Sequence, residues 1–484
     1  MASAPRQIPM PRTTLGGAMG SLGGVNLLSL GAGVVRLKVF ALFLGPAGMA
    51  VVGLASTFFD LLATACRTGV PTGLVREMAR HIAEGNAALA WRVLRDARRL
   101  LALLGVMVAA ACVGLPAAVL ERLLGVALPR WFFLSLCVAL PSSVLASGAE
   151  AGLNAIGAIR DIALVKAITV CGGLLVAVLL VALLRVDGGV AQVLTAAALS
   201  FVVTEFFLNR RRERAGNNDA VVGQPDARAA IRQVLGVGGA QFIYHLAVAA
   251  NRVALRGVAA NWLGITPAGF LQATLAVSQQ YTVAVSAGLF VYLYPRFSSQ
   301  LRDPGAMAAE GTRTVRFLLA VLVPSACVQE VFRGPGVALV LSPQFAPVAA
   351  LLALTIPADL LFLVGTVPRT AMLAQGRARE YVALGVGGEA VRLAAFAVGL
   401  ALRSLSAAIA GLLVAEFGIL VVLVLRTRPR SPDQTKSWGL LGGGLLVVGW
   451  LSLVQRPLVA IPAGVIVAAA WLWCSRASIR AGVQ

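Results

Sequence analysis

The sequence predicts an all-α polytopic membrane protein of about fourteen transmembrane helices, built as two six-helix pseudo-symmetric bundles plus two C-terminal helices. Three observations predict it. Of the 484 residues, 59% are hydrophobic and only 13% are charged, where a soluble domain is about one quarter charged. The apolar residues fall in successive runs of about 20 residues, each long enough to cross a hydrocarbon core of ~30 Å. Between those runs the basic residues are abundant in every second connection, as the cytoplasmic bias of Lys and Arg requires.

Taken in order, the first six runs place helices near 15–43, 47–71, 100–120, 131–153, 163–184 and 189–208. The next six lie near 234–258, 268–294, 317–341, 349–374, 381–402 and 407–425, and two more near 438–454 and 458–474. Only Arg6 and Arg12 precede the first run, which is longer than a signal-peptide core, so an uncleaved first helix is expected. With the N-terminus inside, 28 Lys and Arg residues fall in cytoplasmic connections and five, Arg122, Arg130, Arg185, Arg403 and Arg456, on the opposite side. Both termini are therefore expected in the cytoplasm, with the chain in a bacterial inner membrane. The expected organisation is a bundle over 1–208, a cytoplasmic linker over 209–233, a bundle over 234–430 and two added helices within 431–484. The net charge of +21 belongs to these connections and calls for no nucleic-acid partner, only membrane lipids. The longest inner connections are near 72–99 and 209–233. The outer connections are all short, which excludes a large extramembrane catalytic domain.

The two bundles repeat each other weakly with a period near 220 residues. The first hairpin turns at Leu44-Gly45-Pro46-Ala47-Gly48 after Lys38, and the seventh and eighth helices turn at Leu263-Gly264-Ile265-Thr266-Pro267-Ala268-Gly269 after Arg256. Arg98-Arg99-Leu100-Leu101-Ala102 opens the third helix much as Arg316-Phe317-Leu318-Leu319-Ala320 opens the ninth. Six crossings per half make the repeats parallel, the arrangement in which secondary transporters rock two halves in alternating access. The six cysteines, Cys66, Cys112, Cys137, Cys171, Cys327 and Cys474, all lie in apolar runs and are expected to be small buried hydrophobes, with no metal site.

Eight basic side chains remain inside the predicted helices: Arg36, Lys38, Arg67, Arg252, Arg256, Arg333, Arg369 and Arg392. Each would cost ~2.5 to 3.5 kcal/mol at a lipid-exposed helix centre, so most must face a shared polar cavity or reach the interface. The acids at the same depth are Asp60, Glu150, Glu205, Glu330, Asp359, Glu389 and Glu416. Asp60 and Arg67 are seven apart and Glu389 and Arg392 three apart, so each pair shares a helix face. Such pairs are either ion pairs that stabilise packing or gates. Arg252 and Arg256, four apart, form the clearest cationic stripe, and guanidinium groups in a dry cavity suit a phosphate through paired hydrogen bonds. Cationic drugs are disfavoured on the same ground. No GxxxxGK[ST] motif occurs, which leaves out the nucleotide cradle of an ATP-driven pump; a secondary transporter is expected, not an enzyme and without a cofactor.

The sequence resembles the polysaccharide-lipid flippases of the multidrug/oligosaccharidyl-lipid/polysaccharide exporter (MOP) superfamily, above all the Wzx-type O-antigen translocases and the lipid III flippase family. The residues that carry this are Gly31-Ala32-Gly33 through Lys38 to Gly48, Gly73-Leu74-Val75-Arg76, Arg256 with Ala268-Gly269 and Gln272, Val291-Tyr292-Leu293-Tyr294-Pro295, Arg333, and Asp359 with Glu389. The resemblance implies movement of an undecaprenyl-pyrophosphate-linked glycan to the outer leaflet. It also implies a polysaccharide polymerase and a chain-length regulator as partners. By position it carries over Lys38, Arg256, Arg333, Asp359 and Glu389, while Arg36, Arg67, Arg252, Arg369 and Arg392 are expected to join them in binding cargo. Asp60, Asp359 and Glu389 are the residues expected to couple transport to a proton or sodium gradient. Ser56 stands where the lipid III flippases carry Arg, and the helices after residue 437 exceed their twelve, resembling the fourteen of the lipid II flippase. The competing expectations are a multidrug or small-molecule antiporter of the same superfamily, a lipid II flippase, and a membrane-embedded glycosyl-transfer enzyme, for which no paired-carboxylate or metal motif stands on a loop.

Overall fold

The computed structural model describes residues 15–215 and 227–427, together with Val448. Every regular element among the described residues is helical. Eight of these helices are long and apolar enough to cross a membrane, and the chain is a multi-pass membrane protein. The expected linker at 209–233 lies partly, and the expected helices at 438–454 and 458–474 wholly, outside the described residues apart from Val448. Contacts divide the chain into two compact units, Met1–Leu44 with Val51–Val253 and Gly45–Ala50 with Ala254–Gln484. The division falls inside a helix, between Val253 and Ala254.

In the first unit α1 (Leu15–Arg67) carries the first two predicted helices, joined across a kink at Gly45 (φ 63°, ψ −175°). The second was expected to reach residue 71 but ends at Arg67, because Thr68 (φ 45°) and Gly69 (φ 74°) turn the chain into left-handed backbone. An unforeseen helix follows, α2 (Val70–Ala83), inside what was expected to be a connection. Its buried residues Val70, Leu74, Met78 and His81 recur at helical spacing, so one face packs against α3 (Ala87–Gly114) and α5 (Arg130–Ala155). The Asn86 side chain accepts from the Leu89 N–H at 3.3 Å and caps α3. Thus α3 starts thirteen residues before the hydrophobic run at residue 100 and stops before Pro116. The short α4 (Ala117–Leu124) was likewise unforeseen. In α6 (Ile159–Ala215) the fifth and sixth predicted helices join across Arg185 (φ 53°), whose guanidinium lies 5.2 Å from the centre of the Phe43 ring.

Besides Gly45–Ala50 of α1, the second unit takes in the end of α7 (Ala227–Leu263) and continues through α8 (Ile265–Ser299), α9 (Pro304–Val340), α10 (Ala346–Ala374), α11 (Ala378–Ala401) and α12 (Leu405–Thr427). Helix α10 is its hub, packing against α8, α9, α11 and α12. Gly45 and Gly264 (φ 93°, ψ 174°), the matching glycines of the two repeated turns, share one backbone conformation that is open essentially to glycine alone. Gly269 of the second turn meets Pro46 of the first so closely that a Cβ there would fall 1.8 Å from the Pro46 carbonyl oxygen. Of the cysteines, Cys66, Cys112 and Cys327 are buried as expected, but Cys137 and Cys171 lie on exposed helix faces. Apolar helix faces that point to lipid need no core partner, which is why hydrophobic context misassigned those two. Cys474 lies outside the described residues.

Candidate functional site

Helix α10 is interrupted by Pro357 and Pro368. Each removes a backbone N–H donor and loosens the turn before it, and the two polar positions Asp359 and Arg369 follow within two residues of them. Asp359 is half-buried and accepts a hydrogen bond from the Ser278 hydroxyl on α8 at 2.6 Å. One turn further on, the Phe362 ring has two guanidinium carbons near it, Arg369 at 5.3 Å and Arg392 at 5.6 Å from the ring centre, within cation–π range.

Arg392 on α11 is 7% exposed and sits between two buried carboxylates. Its Nε and Nη2 donate to Oε1 and Oε2 of Glu416 on α12 at 2.5 and 3.0 Å, and Nη1 donates to Glu389 one turn back on its own helix. The fork geometry uses the guanidinium fully, as bidentate Arg–carboxylate pairs do. On α9, Arg333 Nη1 donates to Glu330 Oε2 at 2.7 Å. On α7, the buried Arg256 donates from Nε to Gln272 Oε1 of α8 at 2.5 Å.

The first unit holds Arg36, Lys38, Asp60, Arg67 and Arg252. Arg36, on an exposed face of α1, is within electrostatic reach of Asp60. Lys38 and Arg252 are half-buried. Arg67 lies in the last turn of α1, where a cation complements the negative end of the helix dipole, and its Nε is buried without a hydrogen-bond partner among the described residues. Asp60, seven residues before Arg67 along α1, bears on Arg36.

Of the residues that the sequence singled out, the structure joins Glu389 with Arg392, and Arg392 with Arg369 through Phe362. It sets Arg36 beside Asp60, and Asp359 against Ser278. Arg333 and Arg392, expected among the cargo-binding cations, are held by carboxylates. Glu416, Phe362, Ser278 and Gln272 were not expected as members of the site. Glu416 had a signal: Arg392 and Glu416 stand almost equidistant from the turn at Leu402–Ser404, so an antiparallel hairpin brings them level. The remaining depth acids are also engaged, Glu205 with Arg98 at 2.5 Å and Glu150 with Lys166 at 3.4 Å.

No sequence-family profile matches the chain, and no curated relative matches its sequence. Solved structures do match. A structure described as the lipid II flippase MurJ in an inward closed conformation aligns with a TM-score of 0.68 at 10% identity, over 96% of this chain and 99% of that one. An inward-facing multidrug resistance MATE family transporter of the MOP superfamily aligns with a TM-score of 0.63 at 14% identity, over 87% and 98%. An outward-facing structure of a multidrug resistance MATE family transporter gives 0.62 at 16% identity, over 90% and 98%. At such identities the likeness is one of fold, and the fold of this chain is that of the MATE and MurJ structures.

Proposed function

We propose that this chain is a secondary transporter that flips an undecaprenyl-pyrophosphate-linked oligosaccharide, an O-antigen, common-antigen or exopolysaccharide repeat unit, across the inner membrane by alternating access. The observation that carries the proposal is the charge balance at membrane depth. Of the seven acids there, Glu150 and Glu205 are engaged by Lys166 on α6 and Arg98 on α3, Glu330 by Arg333, and Glu389 and Glu416 together by Arg392. Counting Glu150 and Glu205 with Lys166 and Arg98, the eight basic side chains at that depth face five acids, Asp60, Glu330, Asp359, Glu389 and Glu416. A positive excess of that size inside a bilayer protein is expensive unless the cargo is an anion, and a pyrophosphate matches guanidinium groups in charge and geometry. The fold adds support, since a lipid II flippase shares it.

In this proposal Arg252, Arg256, Lys38 and Arg36 attract the pyrophosphate, with Arg67 and Arg369 contributing to the field. Arg333 and Arg392 act through the acids that hold them. Asp60, Asp359 and Glu389 couple transport to a proton or sodium gradient, because a carboxylate that gains a proton or ion changes the stability of each state. The test is a flipping assay on the full chain in liposomes with a fluorescent pyrophosphate-linked lipid. Arg252→Ala and Arg256→Ala are each expected to slow flipping by tenfold or more, on the order of 1.4 kcal/mol or above; normal flipping in both variants would overturn the proposal.

A further inference from the structure

Helices α3, α5 and α6 of the first unit line a partly open cavity of about 250 Å³ that the transport proposal does not use. Its basic lining comes from Arg95, Arg98 and Arg99 on α3 and Arg212 near the end of α6. Its apolar lining includes Leu94 and Leu208, both buried, beside Trp91. Residues 91, 94, 95, 98, 99 and 102 all line it, the stripe that one face of a helix presents. Arg98 is fixed by Glu205, which accepts from both of its terminal nitrogens, and its Nε is buried without a partner among the described residues. Arg95, Arg99 and Arg212 are exposed, Arg99 donates to Asp96 at 3.4 Å, and no carboxylate is among the residues lining the cavity.

We propose that this cavity binds the phosphate of an anionic phospholipid from the cytoplasmic leaflet. Guanidinium groups set over apolar walls fit a headgroup continuous with acyl chains better than a free anion, and a Trp beside them suits the membrane–water boundary. The volume lies below the ~300–1,000 Å³ typical of pockets that enclose whole drug-sized ligands and is suited to a headgroup whose chains remain in the bilayer. Arg98, locked by Glu205, forms a rigid wall, while Arg95 and Arg212 from two different helices close on the phosphate. The site is distinct from the depth cations of α1 and α7, so its occupancy is read without reference to transport.

The experiment uses the full chain in detergent micelles and titrates cardiolipin by native mass spectrometry, with phosphatidylcholine as the neutral comparison. The paired variant Arg95→Gln with Arg212→Gln is expected to weaken cardiolipin binding about thirtyfold, in line with the contribution of two basic residues near a membrane surface. Arg95→Lys with Arg212→Lys is expected to keep most of it, which also guards against a loss caused by misfolding. Arg302→Gln with Arg379→Gln, which removes exposed arginines of other connections, is expected to change it less than twofold. Wild-type binding by the first pair would overturn the proposal, and so would an equal loss in the last. Full displacement of cardiolipin by millimolar inorganic phosphate would overturn it too, by showing a free-anion site.

Discussion

Arg392 donates to two carboxylates at once, and all three side chains are buried. Removing only the cation strands two anions where water is scarce, and breaking a buried pair in this way costs about 3–5 kcal/mol. Arg392→Met is therefore expected to lower the thermal unfolding temperature in detergent sharply. The triple change Arg392→Met, Glu389→Leu and Glu416→Leu is expected to recover most of it, since a buried ion cluster replaced whole is often close to neutral. Failure of the triple variant to recover would show that the cluster holds the α11–α12 hairpin in some way other than charge compensation. Asp359 poses the opposite case. Asp359→Asn keeps an acceptor for the Ser278 hydroxyl, so stability is expected to change by under ~1 kcal/mol, while ion-driven flipping is expected to fall at least tenfold; the two are separated by unfolding and liposome assays on one preparation. The sequence disclosed Glu389 with Arg392 because three residues make one helical turn. It did not disclose Phe362, since an aromatic in an apolar helix reads like any packing residue until its neighbours are known, and it marked Gln272 with Arg256 only through the family resemblance, not as a hydrogen-bond partner.

At the scale of elements, the best-marked features were the turns that only glycine can make. Gly45 and Gly264 were matched by position in a repeat, and the structure gives them one conformation near φ +60 to +90° and extended ψ, so Gly45→Ala and Gly264→Ala are each expected to destabilise by ~1–3 kcal/mol. Gly269→Ala is expected to do the same or worse by a different route, because its Cβ would strike the backbone oxygen of Pro46 rather than a movable side chain. Gly387→Ala, with nothing within 4 Å of its added methyl, serves as the comparison and is expected to be neutral or mildly stabilising; denaturation of the four variants ranks them. Hydropathy found the spans but not their polar extensions. Helix α9 was expected from residue 317, yet Asp303 accepts from the Ala306 N–H at 2.9 Å and Pro304 starts the helix thirteen residues earlier. The cap is written in Asp303-Pro304, outside the apolar run that marks the span. The amphipathic α2 hides for the same reason: Arg76, Arg80 and the buried Glu77 interleave with its apolar positions and pull its average hydropathy down to that of a loop.

At the scale of the whole molecule, the fold is shared by multidrug transporters and a lipid flippase, so the fold leaves the cargo open and the distribution of charge must decide it. In the proposed function, an excess of cations over acids at membrane depth repels a cationic drug and attracts a pyrophosphate. Deleting the chain in its native host is accordingly expected to stop display of a surface glycan while leaving sensitivity to cationic drugs within twofold. In liposomes, flipping of a pyrophosphate-linked lipid is expected to exceed that of the corresponding neutral lipid by at least tenfold, with less dependence on salt than surface charges show. Screening at 0.15 M salt acts over ~8 Å for exposed charges and much less for buried ones, so a rate that collapsed between low and physiological salt would point to attraction by the cytoplasmic arginines instead of cations within the membrane. An altered drug profile with normal glycan display would assign the excess positive charge to some other anion and make the antiporter the better account of this chain.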